Sequence, residues 1–422
     1  MRCRHCGCEL ELPLIDLGSA PPSNAYLTQE RLRAPEKWFP LRVLVCERCW
    51  LVQTEDFARA DELFGADYAY FSGYSASWLA HCQRYVADVV ARFGLHAGSH
   101  VVEIAANDGS LLQYVRERGI ACMGVEPTAS TAAAARAKGI AVVQDFFGSR
   151  LAKQLVAGGR RADLLVANNV LAHVPDINDF VAGCALLLAP QGVASFEFPH
   201  LVELVEHCQF DTIYHEHYSY LSLHAVERVF AHGGLSVFDV EQLGTHGGSL
   251  RVYAQRSDSG SHPEHPRVAS LRALEAARGV ATAAYYAQLQ ARAERIKDDL
   301  LCFLIEAKRR GEKVAGYGAA AKGNTLLNFA GVRRDLLGFV ADRNPAKQGK
   351  YLPGSRIPVR GEEALRSARP DHVLILPWNL AEELTTQLSY IGEWGGSLVR
   401  AVPELEVRRA ASPASAVAMK TA

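Results

Sequence analysis

Apolar residues recur at helical spacing in two long stretches of the chain and dominate short runs between them. From Trp78 to Phe93 they fall at Leu79, Cys82, Val86, Val89, Val90 and Phe93, the stripe of one amphipathic helix. Val268 to Arg310, dominated by Ala, Leu, Arg and Glu and free of proline, predicts a second helical region. The short runs are His100–Ile104, Ala121–Glu126, Val142–Val143, Ala162–Ala167 and Gly192–Phe198. Each is followed by a turn rich in polar residues and then a helix start, which predicts a doubly wound α/β sheet. Leu235–Leu243 and Leu250–Gln255, joined by Gly244-Thr245-His246-Gly247-Gly248-Ser249, predict an antiparallel hairpin closing that sheet. Lys313 to Thr325 reads again as strand, glycine turn and helix start, with further strands at Leu337–Val340 and His372–Leu376. The fold class expected is therefore α/β, with a second Rossmann-like unit at the C-terminal end.

Cysteine spacing adds a third unit. Five of the ten cysteines precede residue 50, and Cys3-x-x-Cys6 with Cys46-x-x-Cys49 forms two knuckles. Four thiolates so spaced suit a tetrahedral cation, most often Zn²⁺, and a filled shell makes that ion structural. Cys8 and His5 are near enough in sequence to replace one ligand. The insert carries a polar, proline-rich turn, Pro21-Pro22-Ser23-Asn24, and a strand-like stretch, Leu41–Val45. The expected divisions are 1–72 (zinc), 73–255 (nucleoside-binding sheet), 256–409 (second α/β unit) and 410–422 (a disordered Ala/Ser/Pro-rich tail), with 256–266 as linker.

Composition narrows the class. Of 422 residues 49% are hydrophobic and 22% charged, and the net charge is −1, so no basic surface argues for nucleic acid or membrane. The N-terminus lacks the apolar core of a signal peptide, and no apolar run reaches the ~20 residues of a membrane span. Clustered cysteines suggest a metal site in a reducing cytoplasm rather than a disulfide framework. A monomer or weak oligomer is expected.

Candidate chemistry concentrates between Phe196 and Tyr220, at whose centre Tyr214-His215-Glu216-His217-Tyr218 offers five consecutive proton-exchanging groups. Histidine titrates near neutrality, so acid–base work is the natural use. On an extended backbone His215 and His217 would share one face and Glu216 the other. HExxH spacing is absent, which argues against a metal here. The first βα turn departs from G-x-G-x-x-G at Ala105 and Asn107, which weakens a pyrophosphate site and an NAD-dependent dehydrogenase reading. Glu126 stands about 20 residues further on, where a carboxylate grips a ribose diol. Gly316 and Gly318 with Lys322 suit an anion at a helix start.

Strand ends bearing E-x-A-x-N-D-G, V-E-P, D-F-F and N-N-V-L-A-H-V in that order resemble class I S-adenosylmethionine methyltransferases. That resemblance assigns Glu103, Asn107 and Gly109 to the methionine side, Glu126 to the ribose, Asp145 and Phe146 to the adenine and Asn168 to the methionine amino end. Together with the zinc knuckles, F-E-F-P-H, Y-H-E-H-Y-S-Y and T-H-G-G-S-L-R, nearly the whole chain resembles the three-domain sugar C-methyltransferases of deoxysugar and antibiotic biosynthesis. The resemblance implies a nucleotide-linked (dTDP) 4-keto-6-deoxysugar as substrate, methylated next to the ketone, at C3 more commonly than C5. It implies catalytic roles for His217, Tyr214, Glu216 and His173, with a tyrosine of the 68–74 stretch, Tyr70, added. Lys322, Asn324, Asn379 and His246 are then candidates for the nucleotide sugar.

Such chemistry needs a base near a C–H beside a carbonyl and donors aimed at the developing oxyanion. His217, poised near neutral pH, is the expected base, with Tyr214 and His173 donating to the carbonyl oxygen. An O- or N-methyltransferase of similar architecture needs no carbon acid and is the nearest alternative. A non-catalytic zinc- and nucleotide-binding adaptor is the alternative from another class, and would not respond to S-adenosylhomocysteine.

Overall fold

A computed structural model of the chain describes residues 1–57 and 71–410. Three sheets organise the described residues. The central one contains β4 (His100–Ile104), β5 (Ala121–Val125), β6 (Ala141–Val143), β7 (Ala162–Asn168), β8 (Leu188–Pro199), β10 (Leu235–Leu243) and β11 (Ser249–Arg256). Their order is β10-β11-β8-β7-β4-β5-β6, and only β11 runs antiparallel to its neighbours. This is the class I methyltransferase sheet that the strand ends suggested. Apolar clusters cover both faces: Leu165, Phe196 and Phe230 lie in one, Val101, Tyr85 and Leu164 in the other. The helix Ala76–Phe93 starts where Ser75 accepts the Trp78 N–H at 3.2 Å and stops at Gly94, whose φ of 61° ends it in the left-handed region.

The N-terminal sheet pairs β1 (Leu12–Ala20), β2 (Phe39–Val45) and β3 (Val52–Thr54) antiparallel, and its fourth strand is β9 (Ser219–Tyr220). The His/Glu/Tyr-rich stretch thus ends as an edge strand of the sheet that carries the cysteine knuckles, which the sequence did not suggest. The third sheet runs β14-β13-β12-β15-β16-β17. Its strands are β12 (Val314–Tyr317), β13 (Val340–Ala341), β14 (Val359–Arg360), β15 (His372–Ile375), β16 (Ser397–Arg400) and the antiparallel β17 (Glu406–Arg409).

A single apolar cluster joins all three regions, containing Leu14 and Val43, Phe210 and Ile213, and Leu300 and Leu326. Burying Phe210 and Ile213 there contributes about 1.5–3 kcal/mol each. That anchorage immediately precedes the proton-handling residues.

Several local expectations change. Val268–Arg310 is three helices, Pro266–Arg278, Ala283–Tyr286 and Leu289–Arg309, because Gly279 takes φ 80° and ends the first. Of the run Leu337–Val340 only Val340 joins the sheet, in the two-residue strand Val340–Ala341. Residues 215–216 form a turn, with His217 N–H donating to Tyr214 O at 2.9 Å, so the alternation of faces expected of an extended strand does not hold. Segment 256–266 is fastened rather than loose: Gln255 and His262 exchange hydrogen bonds, and Ser261 donates to Gln191. The tail 411–422 and Tyr70 lie outside the described residues.

Candidate active site

Both cysteine knuckles close as tight turns, with Gly7 N–H on Cys3 O and Trp50 N–H on Cys46 O. The sulfurs of Cys3, Cys6, Cys46 and Cys49 all lie within 4.8 Å of one another. Cys8 instead accepts from Arg48 at 3.5 Å and His5 pairs with Asn178 at 2.8 Å, so neither joins the group. Four convergent sulfurs fit a closed tetrahedral Zn²⁺ shell, which is a structural site.

At the C-terminal ends of β4 and β7 the βα turns are held open by unusual backbone. Ala105, Asn107 and Asn169 take φ of 56°, 49° and 53°, and Gly109 takes 74° where a Cβ would meet Ile140 at 2.4 Å. Glu126 spans the crevice by accepting Asn107 N–H and Thr128 N–H, both at 2.9 Å. Glu103 is buried with one oxygen unpartnered, and burial, then Asp108 and Glu126, push its carboxyl well above the ordinary range. Both polar atoms of the Asn168 side chain are buried without a partner. Orphaned polar atoms beside three clustered carboxylates suit a cationic ligand with an ammonium and a diol, and S-adenosylmethionine has both. Asp145, held by Phe146 N–H and Arg150, lies with the exposed Phe146 ring after β6.

The catalytic candidates converge around His217, which is 7% exposed. Its ring centroid lies 3.9 Å from that of Tyr214 and 4.6 Å from that of His173. Its Nδ1 faces the Thr212 carbonyl at 2.8 Å, and a carbonyl only accepts, so the proton sits on Nδ1 and Nε2 carries the lone pair. Burial, and then the neighbouring His173, push the imidazolium form well below its usual pKa. The expectation of a histidine poised near neutrality is therefore corrected: at pH 7 this ring is firmly neutral.

His173 Nδ1 lies 2.9 Å from Glu216 O, so its Nε2 is likewise the acceptor side. Burial pushes His173 down to about 4. Donation from His173 to a substrate oxygen would require the disfavoured imidazolium, which revises the donor role expected from the sequence. His215 turns away, with Nε2 at 3.1 Å from Pro40 O and its ring against Phe39. Tertiary packing thus separates two histidines that spacing could not.

From the C-terminal unit, Lys322 reaches the same region. Its Nζ lies 4.5 Å above the Trp378 ring and donates to Asn379 Oδ1 at 2.7 Å. Trp378 Nε1 in turn donates to Asp211 at 2.7 Å, just upstream of the histidines, and the ring abuts Gly247 beside His246. Burial lowers the Lys322 ammonium against the opposing pull of Asp211, and burial raises Asp211 to about 6. His246, with φ 55°, is pushed down to about 4 by burial and then by the Lys322 charge. Asn324 is tied elsewhere, donating to Ser23 O at 2.7 Å. The glycines of the C-terminal turn serve packing: a Cβ on Gly316 would meet Val340 at 2.9 Å, and one on Gly318 would meet Pro377 at 2.5 Å. In the same turn, Ala319 N–H already bonds Asp342 at 2.7 Å.

Sequence reasoning missed Asn24, Asp211, Trp378 and a buried ion network under the site. There His81 Nε2 and Arg251 meet one oxygen of Glu197 at 2.8 and 2.6 Å, while Thr245 Oγ1 donates to the other at 3.0 Å. Burial opposes ionisation of Glu197, yet His81 and Arg251 hold it at about 2. The glutamate inside the apolar run of β8 was the one available signal, since an unpaired buried charge is costly.

Three family models match the chain: "Putative zinc binding domain" at residues 3–64, "Methyltransferase domain" at 78–240 and "C-methyltransferase C-terminal domain" at 244–403. The chain is 36% identical over 410 residues to C-methyltransferase NovU of Streptomyces niveus, covering 97% of each. Among solved structures, magnesium protoporphyrin IX methyltransferase of Synechocystis PCC 6803 with bound SAM matches at 17% identity and TM-score 0.33. That match covers 42% of this chain and 79% of that one. An O-methyltransferase family protein of Burkholderia thailandensis matches at 20% identity and TM-score 0.35, covering 44% and 59%.

Proposed function

The chain belongs to the C-methyltransferase family that includes NovU, and from that premise we propose that its acceptor is a nucleotide-linked (dTDP) 4-keto-6-deoxysugar, methylated beside the ketone, at C3 ahead of C5. It is an S-adenosylmethionine-dependent methyltransferase. When bound, S-adenosylmethionine would supply a methyl group that its sulfonium makes electrophilic.

What the protein must add is a nucleophilic carbon, and the buried neutral His217 is the observation that carries the reading. Its Nδ1–H is committed to Thr212 O, so Nε2 is free of a proton and faces the work of taking one from a C–H. The Tyr214 hydroxyl is the donor proposed for the oxygen on which charge develops. His173, an acceptor at Nε2, is proposed to hold a sugar hydroxyl, and Glu216 to orient the sugar. Lys322 and Asn379 offer a cation and an amide for the diphosphate and His246 a contact on the facing loop, while the remaining acceptor oxygen of Asn324 suits a hydroxyl or N–H of the nucleotide sugar. On the donor side Glu103, Asn107, Gly109, Glu126, Asp145, Phe146 and Asn168 are proposed to hold S-adenosylmethionine, and Cys3, Cys6, Cys46 and Cys49 the zinc. Among the described residues no helix is long and apolar enough to cross a membrane.

The test is to incubate the enzyme with dTDP-4-keto-6-deoxyglucose in D₂O and follow deuterium entry next to the ketone and methyl transfer to the same carbon. His217→Asn is expected to slow both by about 10²- to 10⁴-fold. Exchange and methylation at undiminished rates in this variant would remove His217 as the base. Methylation on oxygen or nitrogen without C–H exchange would replace the carbon-acid chemistry itself.

A further inference from the structure

The turn Pro21-Pro22-Ser23-Asn24 belongs to the zinc-bearing N-terminal region, between β1 and β2, yet none of its contacts serve the metal. It is folded by Ala25 N–H on Pro22 O and Tyr26 N–H on Asn24 O, at 3.0 and 2.9 Å. Two bonds pin it to the C-terminal unit: Asn324 Nδ2 on Ser23 O at 2.7 Å and the Tyr26 hydroxyl on Ala319 O at 2.5 Å. Held from both sides, the loop aims the Asn24 amide at the proton-handling run. There Asn24 Nδ2 donates to both oxygens of Glu216, at 2.8 and 2.9 Å. Glu216 is 1% exposed, so water cannot substitute for those donors.

We propose that Asn24 is a positioning residue, whose amide holds the Glu216 carboxylate by both oxygens and thereby makes the N-terminal region part of the active site. One amide nitrogen thus engages both carboxylate oxygens and holds the end of the side chain in place. Removing it strips hydrogen bonds from a desolvated anion, which favours the protonated form. Among the described residues, the titratable groups near this carboxylate are Tyr26, with Lys347 and Asp342 behind it, while His215 and His217 flank it in sequence. The reading of Glu216 as a site residue rests on the proposed function, and the experiment separates the two.

Asn24→Ala and Asn24→Asp are compared with wild type from about pH 5 to about pH 9, using S-adenosylmethionine and dTDP-4-keto-6-deoxyglucose, with zinc content checked in each. In Asn24→Ala, kcat is expected to fall by about 10- to 100-fold with KM for S-adenosylmethionine unchanged. The acidic limb of kcat should move up by about one pH unit, and further in Asn24→Asp, where two carboxylates compete for one proton. A fall that is uniform across pH, with the limb unmoved in both variants, overturns the proposal, because the loop then only packs. If wild type does not turn this sugar over, the substrate reading has failed, and the pair is read in unfolding instead. A stability gap between Asn24→Asp and Asn24→Ala that widens as pH rises from about 4 to about 8 supports the contact, and a constant gap overturns it.

Discussion

Replacing Arg251 with methionine isolates the cost of an unpaired charge beneath the site. Glu197 has 0% exposure and its carboxyl is held at about 2 instead of 4.5. At 1.36 kcal/mol per pKa unit, that difference amounts to about 3 kcal/mol of net stabilisation from His81 and Arg251, burial already counted. Methionine keeps the apolar stem against the Tyr85 ring, over which the guanidinium lies at 4.4 Å, so packing changes little. His81 remains as a partial partner, which sets the expected loss at the low end of the range for breaking a buried pair, about 3 kcal/mol at pH 7. The pH dependence distinguishes charge from shape. A carboxyl depressed on folding contributes fully above its unfolded value and loses that contribution as pH falls from 4.5 toward about 2. In Arg251→Met the carboxylate takes up its proton at higher pH, so the gap to wild type should narrow between about pH 7 and about pH 4. Urea unfolding followed by circular dichroism at the two pH values measures it. A loss below about 1 kcal/mol at pH 7, or a gap independent of pH, refutes the reasoning. Because Thr245 hangs from the same carboxylate, the His246 loop should loosen as well.

Two further outcomes follow from the same structure. His217, His173 and His246 are neutral when folded and take protons when unfolded below their ordinary value of 6.5, so stability should decline as pH falls through 6.5 and continue to decline toward about 4. His217 contributes up to about 1.4 kcal/mol per pH unit and the less enclosed pair less; a flat stability profile across that window, measured by urea titration, counts against their neutrality. Cys46→Ser should lower zinc content and destabilise the sheet that carries β9, whereas Cys8→Ser should retain full zinc, as read by metal analysis and unfolding; zinc loss in both alike contradicts the four-sulfur assignment.

Short-range pattern made the methyl-donor sheet legible. Runs such as Leu164–Ala167, and Val101–Ile104 apart from Glu103, are apolar and buried on both faces, and the polar residues after them fall at strand ends. The cysteine knuckles were equally local, since each i, i+3 pair fixes its own turn. Where short range ended, so did the reading: Gly279 broke a helix that composition had left whole, and Gly316 and Gly318 answered to Val340 and Pro377 rather than to a ligand.

The sequence by itself determined which strand ends carry acids and amides, that four thiols are spaced to hold one metal, and that residues 214–218 concentrate proton-exchanging side chains. Only the tertiary structure chose among those protonic groups. It placed Pro40 against His215 and Thr212 O against His217, a distinction made by backbone carbonyls that carry no sequence signature. It also brought Asn24, 192 residues away, onto Glu216, and Lys322 and Trp378 onto Asp211. Contacts of that separation depend on how three sheets pack around one shared core, and periodicity within any single segment contains no record of it.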